Sequence, residues 1–215
     1  MSALVRCSLI GLIFLVMASG VFGQDIPQGA ASSLGLRGGF SWPLGDWARS
    51  RIEPSVNFFA MGVSFDADLE LAIGKRWTVA ISGGYASLNG KDWENYVASN
   101  GGQITVSAYA VHFALLLRSH VLLTRPDILR IEFGPALLLA SGSETYQMRA
   151  YKYDFLTKPE FGVRGGIEYT RLLTDFIGVS LDAAVLVFPS GVEYVDGESR
   201  TVVSLPVTLG VRFLF

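Results

Sequence analysis

The sequence predicts an all-β fold, an eight-stranded antiparallel up-and-down transmembrane β-barrel. Three observations predict it: a hydrophobic period of two that recurs eight times, a chain too apolar for an ordinary soluble domain, and no stretch after residue 23 long enough for a membrane helix. Hydrophobic residues make up 50% of the 215 and charged residues only 17%, against about 25% charge in a typical soluble domain. Low charge with 12% aromatic residues is the reverse of a disordered composition. A formal net charge of −2 gives no basic footprint, which argues against a nucleic-acid partner.

Residues 1–23 have the three parts of a secretory signal peptide: Arg6 in a short leader, an apolar run from Leu9 to Ala18, and small residues at Gly20 and Gly23. Cleavage is expected after Gly23, with a second candidate near Gly20, leaving 24–215 as the barrel domain. The apolar run falls short of the roughly 20 residues that span a bilayer. Cys7, the one cysteine, lies in the removed segment, so the mature chain is expected to hold no disulfide, thiolate metal site or cysteine nucleophile. An exported, apolar chain without a spanning helix leaves the closed barrel as the structure that satisfies every backbone group in lipid.

The first strand is read near 33–42, where Leu34, Leu36, Phe40 and Trp42 oppose Gly35, Arg37, Gly39 and Ser41. The second, 59–73, has the cleanest alternation: Met61, Val63, Phe65, Ala67, Leu69, Leu71 and Ile73 on one face, Gly62, Ser64, Asp66, Asp68 and Glu70 on the other. Successive side chains of a strand point to opposite faces, so this pattern is a strand rather than a helix. A third follows near 76–88. In the fourth, near 103–118, Tyr109, Val111, Phe113, Leu115 and Leu117 oppose Ala110, His112, Ala114, Leu116 and Arg118, with a slip near Ser107 read as a bulge.

The fifth strand sets Leu129, Ile131, Phe133, Leu137 and Leu139 against Arg130, Glu132, Gly134, Ala136 and Ala140. The sixth sets Phe161, Val163, Ile167 and Tyr169 against Gly162, Arg164, Gly166 and Glu168; the seventh, Ile177 to Val187, carries Asp182 on its polar face; the eighth closes on Phe215. Pro135 and Pro206 each remove a ladder donor, so local irregularity is expected at both. Short connections near 74–76, 119–127 and 171–175 alternate with long ones near 43–57, 89–102, 141–158 and 189–200, as in outer-membrane barrels. The third long connection carries Tyr151, Tyr153 and Phe155 alternating with Lys152 and Asp154, read as an extension of its flanking strands.

Which face is wet decides the class. A soluble barrel would place Lys, Gln and Glu freely on its outer strand positions, yet all four lysines (Lys75, Lys91, Lys152, Lys158) are assigned to turns, loops or a frayed strand end. The polar face is Gly, Ser, Thr, Ala, Asp and Arg, which suits the narrow lumen of eight strands. An arginine turned to lipid would cost about 2–4 kcal/mol near the midplane, so the strand arginines are placed inside. The expected internal ion-pair network comprises Arg37, Asp66, Asp68, Glu70, Arg130, Glu132, Arg164, Glu168, Asp182 and Arg212, because buried charges persist only when paired. Trp42, Trp77, Tyr85, Tyr169 and Phe176 are assigned to the two interfacial girdles.

With Gly38-Gly39-Phe40 in the first strand, eight amphipathic strands and the ending Thr208-Leu209-Gly210-Val211-Arg212-Phe213-Leu214-Phe215, the chain resembles the small OmpA/OmpX-like outer-membrane β-barrel family. The resemblance implies that Leu209, Val211, Phe213 and Phe215 form the signal read by the barrel-assembly machinery during insertion. Gly210 lies one residue earlier than in the usual form of that signal. It also implies the cell outer membrane as location, with outer-membrane lipid and lipopolysaccharide as partners and the long loops facing any surface ligand.

Little points to catalysis. A lipid-cleaving triad needs Ser, His and a carboxylate within reach, and barrel deacylases place His and Ser two apart on the lipid face. Here Ala114 follows His112 at that spacing. His112 is read as a structural lumen histidine and His120 as a solvated turn residue. Asp66, Asp68 and Glu70 share one face, but calcium takes six to eight oxygens, and Arg37 is the expected partner. No zinc spacing, phosphate loop or dinucleotide fingerprint is present, so no metal, cofactor or enzymatic activity is expected. The expected function is a closed barrel with a structural, envelope-integrity or surface-interaction role. A narrow porin-like channel is the alternative, with lipid A modification a further one.

Overall fold

A computed structural model of the protein describes residues 32–44, 62–87, 104–124, 126–146, 151–156, 159–193 and 199–215. Nine strand segments follow one another: β1 (Ser33–Leu44), β2 (Gly62–Ala72), β3 (Trp77–Ser87), β4 (Ile104–Leu123), β5 (Asp127–Tyr146), β6 (Tyr151–Leu156), β7 (Glu160–Leu172), β8 (Ile177–Glu193) and β9 (Ser199–Leu214). Every neighbouring pair is antiparallel, and β1 pairs with β9 to close the sheet on itself. The barrel wall has eight strands, because β6 and β7 both pair with β5: β6 with its far end, Ser141–Tyr146, and β7 with Asp127–Leu138. No helix among the described residues is long and apolar enough to cross a membrane.

Alternation along each strand sorts the side chains into two environments. On β2 the burial reads strictly in and out from Gly62 to Glu70, with Ser64, Asp66, Asp68 and Glu70 buried and Val63, Phe65, Leu69 and Leu71 exposed. The outer wall is a belt of large apolar residues, including Ile81, Leu115, Phe133, Leu181 and Leu209. The interior holds arginines, carboxylates, serines and small residues. A charged core inside an apolar wall inverts the arrangement of a soluble barrel.

Several boundaries differ from the sequence reading. The third long connection is the strand extension expected, β5 continuing to Tyr146 and pairing with β6, so Lys152 stands on a strand and not in a loop. The fourth is a hairpin, with Val192 paired to Arg200 and Glu193 to Ser199. The connection assigned to 119–127 shrinks, because β4 runs to Leu123. Its bulge is not at Ser107, where pairing with β5 is unbroken; the register shifts between His120 and Leu122. Residues 59–61 of the second strand and the connections 45–61 and 88–103 lie outside the described residues, as do Lys91, Lys158 and the signal-peptide segment.

Pro135 and Pro206 mark where one ladder lapses. The β4–β5 pairing skips from Ala114↔Ala136 to Leu117↔Phe133, and the β8–β9 pairing from Ala183↔Val207 to Leu186↔Ser204. On their other sides Pro135 pairs with Val163 and Pro206 with Ser41 without a break. A missing N–H removes a donor toward one neighbour only, so the wall stays closed.

Candidate functional site: a charged network across the lumen

Inward positions of all eight wall strands converge on one cluster. From β2 come Asp66, Asp68 and Glu70; from β5, Arg130 and Glu132; from β7, Arg164 and Glu168. Single charged members arrive from β1 (Arg37), β4 (Arg118), β8 (Asp182) and β9 (Arg212), and β3 adds Thr78. All of these residues are buried.

Each guanidinium bridges carboxylates of different strands. Arg118 meets Asp68 at 3.0 Å, Glu70 at 3.1 Å and Glu132 at 2.9 Å. Arg212 meets Glu70 at 2.8 Å, Asp68 at 2.9 Å and Glu168 at 2.7 Å. Arg37 spans Asp68 at 2.9 Å and Glu168 at 2.7 Å. Higher in the lumen Arg164 holds Glu132 at 2.8 Å, Asp182 at 2.9 Å and Asp66 at 3.1 Å. Arg130 donates to Glu168 at 2.9 Å and to Thr170 at 3.1 Å. Glu168 of β7 thus meets its cross-strand partner Arg130 of β5 and, across the lumen, Arg37 of β1 and Arg212 of β9, strands that are not its neighbours. The planar five-donor fork of arginine suits such multiple bridging, where lysine would act as a single point charge.

Glycine makes room for these large groups. A Cβ on Gly84 would collide with the His112 ring and the Asp66 carboxylate, and one on Gly35 would stand 2.8 Å from Asp68 Oδ2. Small residues on the polar face of β1 and β3 are therefore the space into which the network projects.

The ten residues assigned to the network from sequence all stand in this cluster. Arg118, at its centre, was absent from that set. It lies at the end of the expected fourth strand, whose alternation is the least clean; its parity with His112 was the available signal. His120 is not a solvated turn residue. It is buried on β4, accepts from Arg130 Nε at Nε2 (3.0 Å) and faces the Arg76 carbonyl through Nδ1 at 3.1 Å. An acceptor at Nε2 puts the ring proton on Nδ1, so the histidine donates to that carbonyl. His112 Nε2 lies 3.1 Å from both Arg164 Nη1 and Asp66 Oδ1.

Glu132, Glu168 and Asp182 bring one oxygen each within 4.8 Å of one another, the grouping among the described residues nearest to a cation site. Each is already engaged by guanidinium: Glu132 by Arg118 and Arg164, Glu168 by Arg37, Arg130 and Arg212, Asp182 by Arg164. Above the network a cavity of about 20 Å³ remains, bordered by Ser41, Ser64, His112, Leu138, Leu186 and Phe188. That is room for about one water molecule.

On the outer wall Trp77, Tyr85, Tyr169 and Phe176 are exposed and Trp42 is half-buried, its ring 6.4 Å from that of Phe40. Tyr85 and Tyr109 stack with centroids 6.4 Å apart. Leu209, Val211, Phe213 and Phe215 all face outward.

No protein-family model and no curated protein matches the sequence. Solved structures do match. The chain resembles the Neisserial surface protein A, NspA, with a TM-score of 0.53 at 11% identity, covering 88% of this chain and 100% of that one. It resembles a major outer membrane protein from Thermus thermophilus with a TM-score of 0.55 at 15% identity, covering 86% of this chain and 100% of that one. The fold is thus that of the small OmpA/OmpX-like outer-membrane barrels, a closed, all-antiparallel barrel of eight strands.

Proposed function

We propose that the chain is an integral outer-membrane protein, exported through a cleaved signal peptide at 1–23, and that its barrel is closed to solutes. Its role is then structural, in envelope integrity and in contacts made through the hairpins at the long-connection end. Outer-membrane lipid, lipopolysaccharide and any surface ligand at the long loops are its partners, and the assembly machinery reads Leu209, Val211, Phe213 and Phe215 during insertion. The observation that carries the closed barrel is the network itself: five arginines and six carboxylates buried across the lumen, with space above them for about one water. The membrane reading rests on the apolar outer wall, since an arginine placed there would cost about 2–4 kcal/mol while every network arginine is turned inward. Catalysis is not proposed, because His112 and His120 are both held by arginines of the network.

Cells expressing the full chain test this. The protein is expected in the outer-membrane fraction, shortened at its N-terminus, and migrating differently on gels before and after boiling. Proteoliposomes carrying it are expected to show no swelling in small sugars. Recovery from the soluble fraction would overturn the membrane reading, and sugar-driven swelling would overturn the closed barrel.

A further inference from the structure

Among the described residues, the outer wall has a recess on β1–β4. Ala67 on β2 and Gly83 on β3 are direct cross-strand partners, and both belong to the outward set. Leu36 of β1 pairs with Ala67 and Phe113 of β4 pairs with Gly83, so one level row runs Leu36, Ala67, Gly83, Phe113 across four strands. Phe65 and Tyr85, partners of one another, stand in the row above. The result is a shallow groove, open to the outside, with a small-residue floor and apolar walls.

Other small outward residues among those described are flanked by large ones. Gly38 pairs with Phe65 and Leu209, Gly165 with Phe133 and Val185, and Ala183 with Ile167 and Val207. The recess is also not forced by the interior. A Cβ on Gly83 would meet nothing nearer than the Phe113 ring at 3.4 Å, so a methyl group would fit there in ordinary contact, as it would at Gly38 and Gly165.

We propose that this groove seats one acyl chain of a lipid in the leaflet at the long-connection end. The inference rests on the membrane reading above. Its occupant follows from position: the groove is continuous with the apolar belt, and what covers that belt is hydrocarbon. Depth selects the leaflet. Gly83 stands six residues above Trp77, the interfacial aromatic of the short-turn end, which is about 15 Å on a tilted strand in a belt about 25 Å tall. The chain's head would then lie beside the stacked Tyr85–Tyr109 pair, whose amphipathic rings suit that level. A chain lodged there exchanges more slowly than its neighbours, because dispersion contacts come from three sides instead of one.

Native mass spectrometry of the detergent-extracted barrel tests this, with dimyristoyl phosphatidylglycerol as the added probe and heat-modifiable migration as the check of folding. The wild type is expected to keep one lipid as detergent is stripped. Ala67→Leu fills the floor from outside the wall and is expected to lower the retained fraction at least fivefold. Ala183→Leu enlarges an equally outward residue beyond the groove and is expected to leave retention unchanged. Equal retention in wild type and Ala67→Leu, equal loss in both variants, or no lipid kept by the wild type would overturn the site. A barrel that inserts into vesicles but fails these comparisons removes the groove alone, whereas one that fails to insert removes the membrane reading beneath it.

Discussion

Arg118 and Glu132 are direct cross-strand partners on β4 and β5, their side chains 2.9 Å apart and without exposed surface. The same guanidinium reaches Asp68 and Glu70 on β2, on the far side of β3. One side chain thereby ties three strands through the lumen, and its removal leaves three carboxylates short of a partner.

Arg118→Met is therefore expected to destabilise the folded barrel by about 3–5 kcal/mol, the cost of breaking one side of a buried ion pair. The surface pair Arg171–Asp127, at 3.2 Å with the arginine side chain 59% exposed, is the control. Arg171→Ala is expected to leave the unfolding midpoint nearly unchanged, because an exposed pair is screened by solvent. Urea unfolding of both variants in lipid vesicles measures the difference, and equal losses would contradict the network's central place.

Gly84→Ala is expected to destabilise by about 1–3 kcal/mol, because the added methyl collides with the His112 ring and the Asp66 carboxylate. Gly74→Ala, where nothing lies within 4 Å, is expected to be near neutral. Denaturant midpoints of the two variants settle the comparison.

His120→Phe removes the acceptor for Arg130 Nε and the donor to the Arg76 carbonyl. A loss of about 1–3 kcal/mol is expected for Arg130 Nε left without that acceptor, the Arg76 carbonyl keeping the His120 backbone N–H at 2.9 Å, and it is read as a lower unfolding midpoint. No change would mean that this histidine is a bystander.

Leu115→Arg places a charge in the middle of the outward belt, at a residue 53% exposed. A cost of about 2–4 kcal/mol is expected if the wall faces lipid. Folding yield into vesicles reports it, and an unchanged yield would mean a wetted wall.

What sequence could show depended on contrast between the two faces. On β2 apolar and acidic residues alternate without a fault, so both the strand and the inward direction of Asp66, Asp68 and Glu70 were legible. On β6 the alternation of Tyr151, Tyr153 and Phe155 with Lys152 and Asp154 marked a strand extension, whereas the far end of β5, Ser141–Tyr146, offers no such contrast and its pairing left no pattern. Arg118 and His120 share the inward parity of His112, but Arg118 stood at the last position of the least clean strand, and the bulge beyond His120 on a strand that runs five residues further than expected hid the place of His120. Arg37 and Glu168 meet across the lumen from strands that are not neighbours, and such a contact depends on barrel closure and stagger rather than on any local spacing.

The most direct measurement is single-channel conductance of the folded barrel in a planar lipid bilayer, wild type beside Arg164→Ala. Arg164 bridges Glu132, Asp66 and Asp182 directly below the remaining cavity. A membrane-inserted wild type that stays silent, with openings that appear only in the variant, is the predicted result. Steady openings in the wild type would contradict a lumen closed by its own charges.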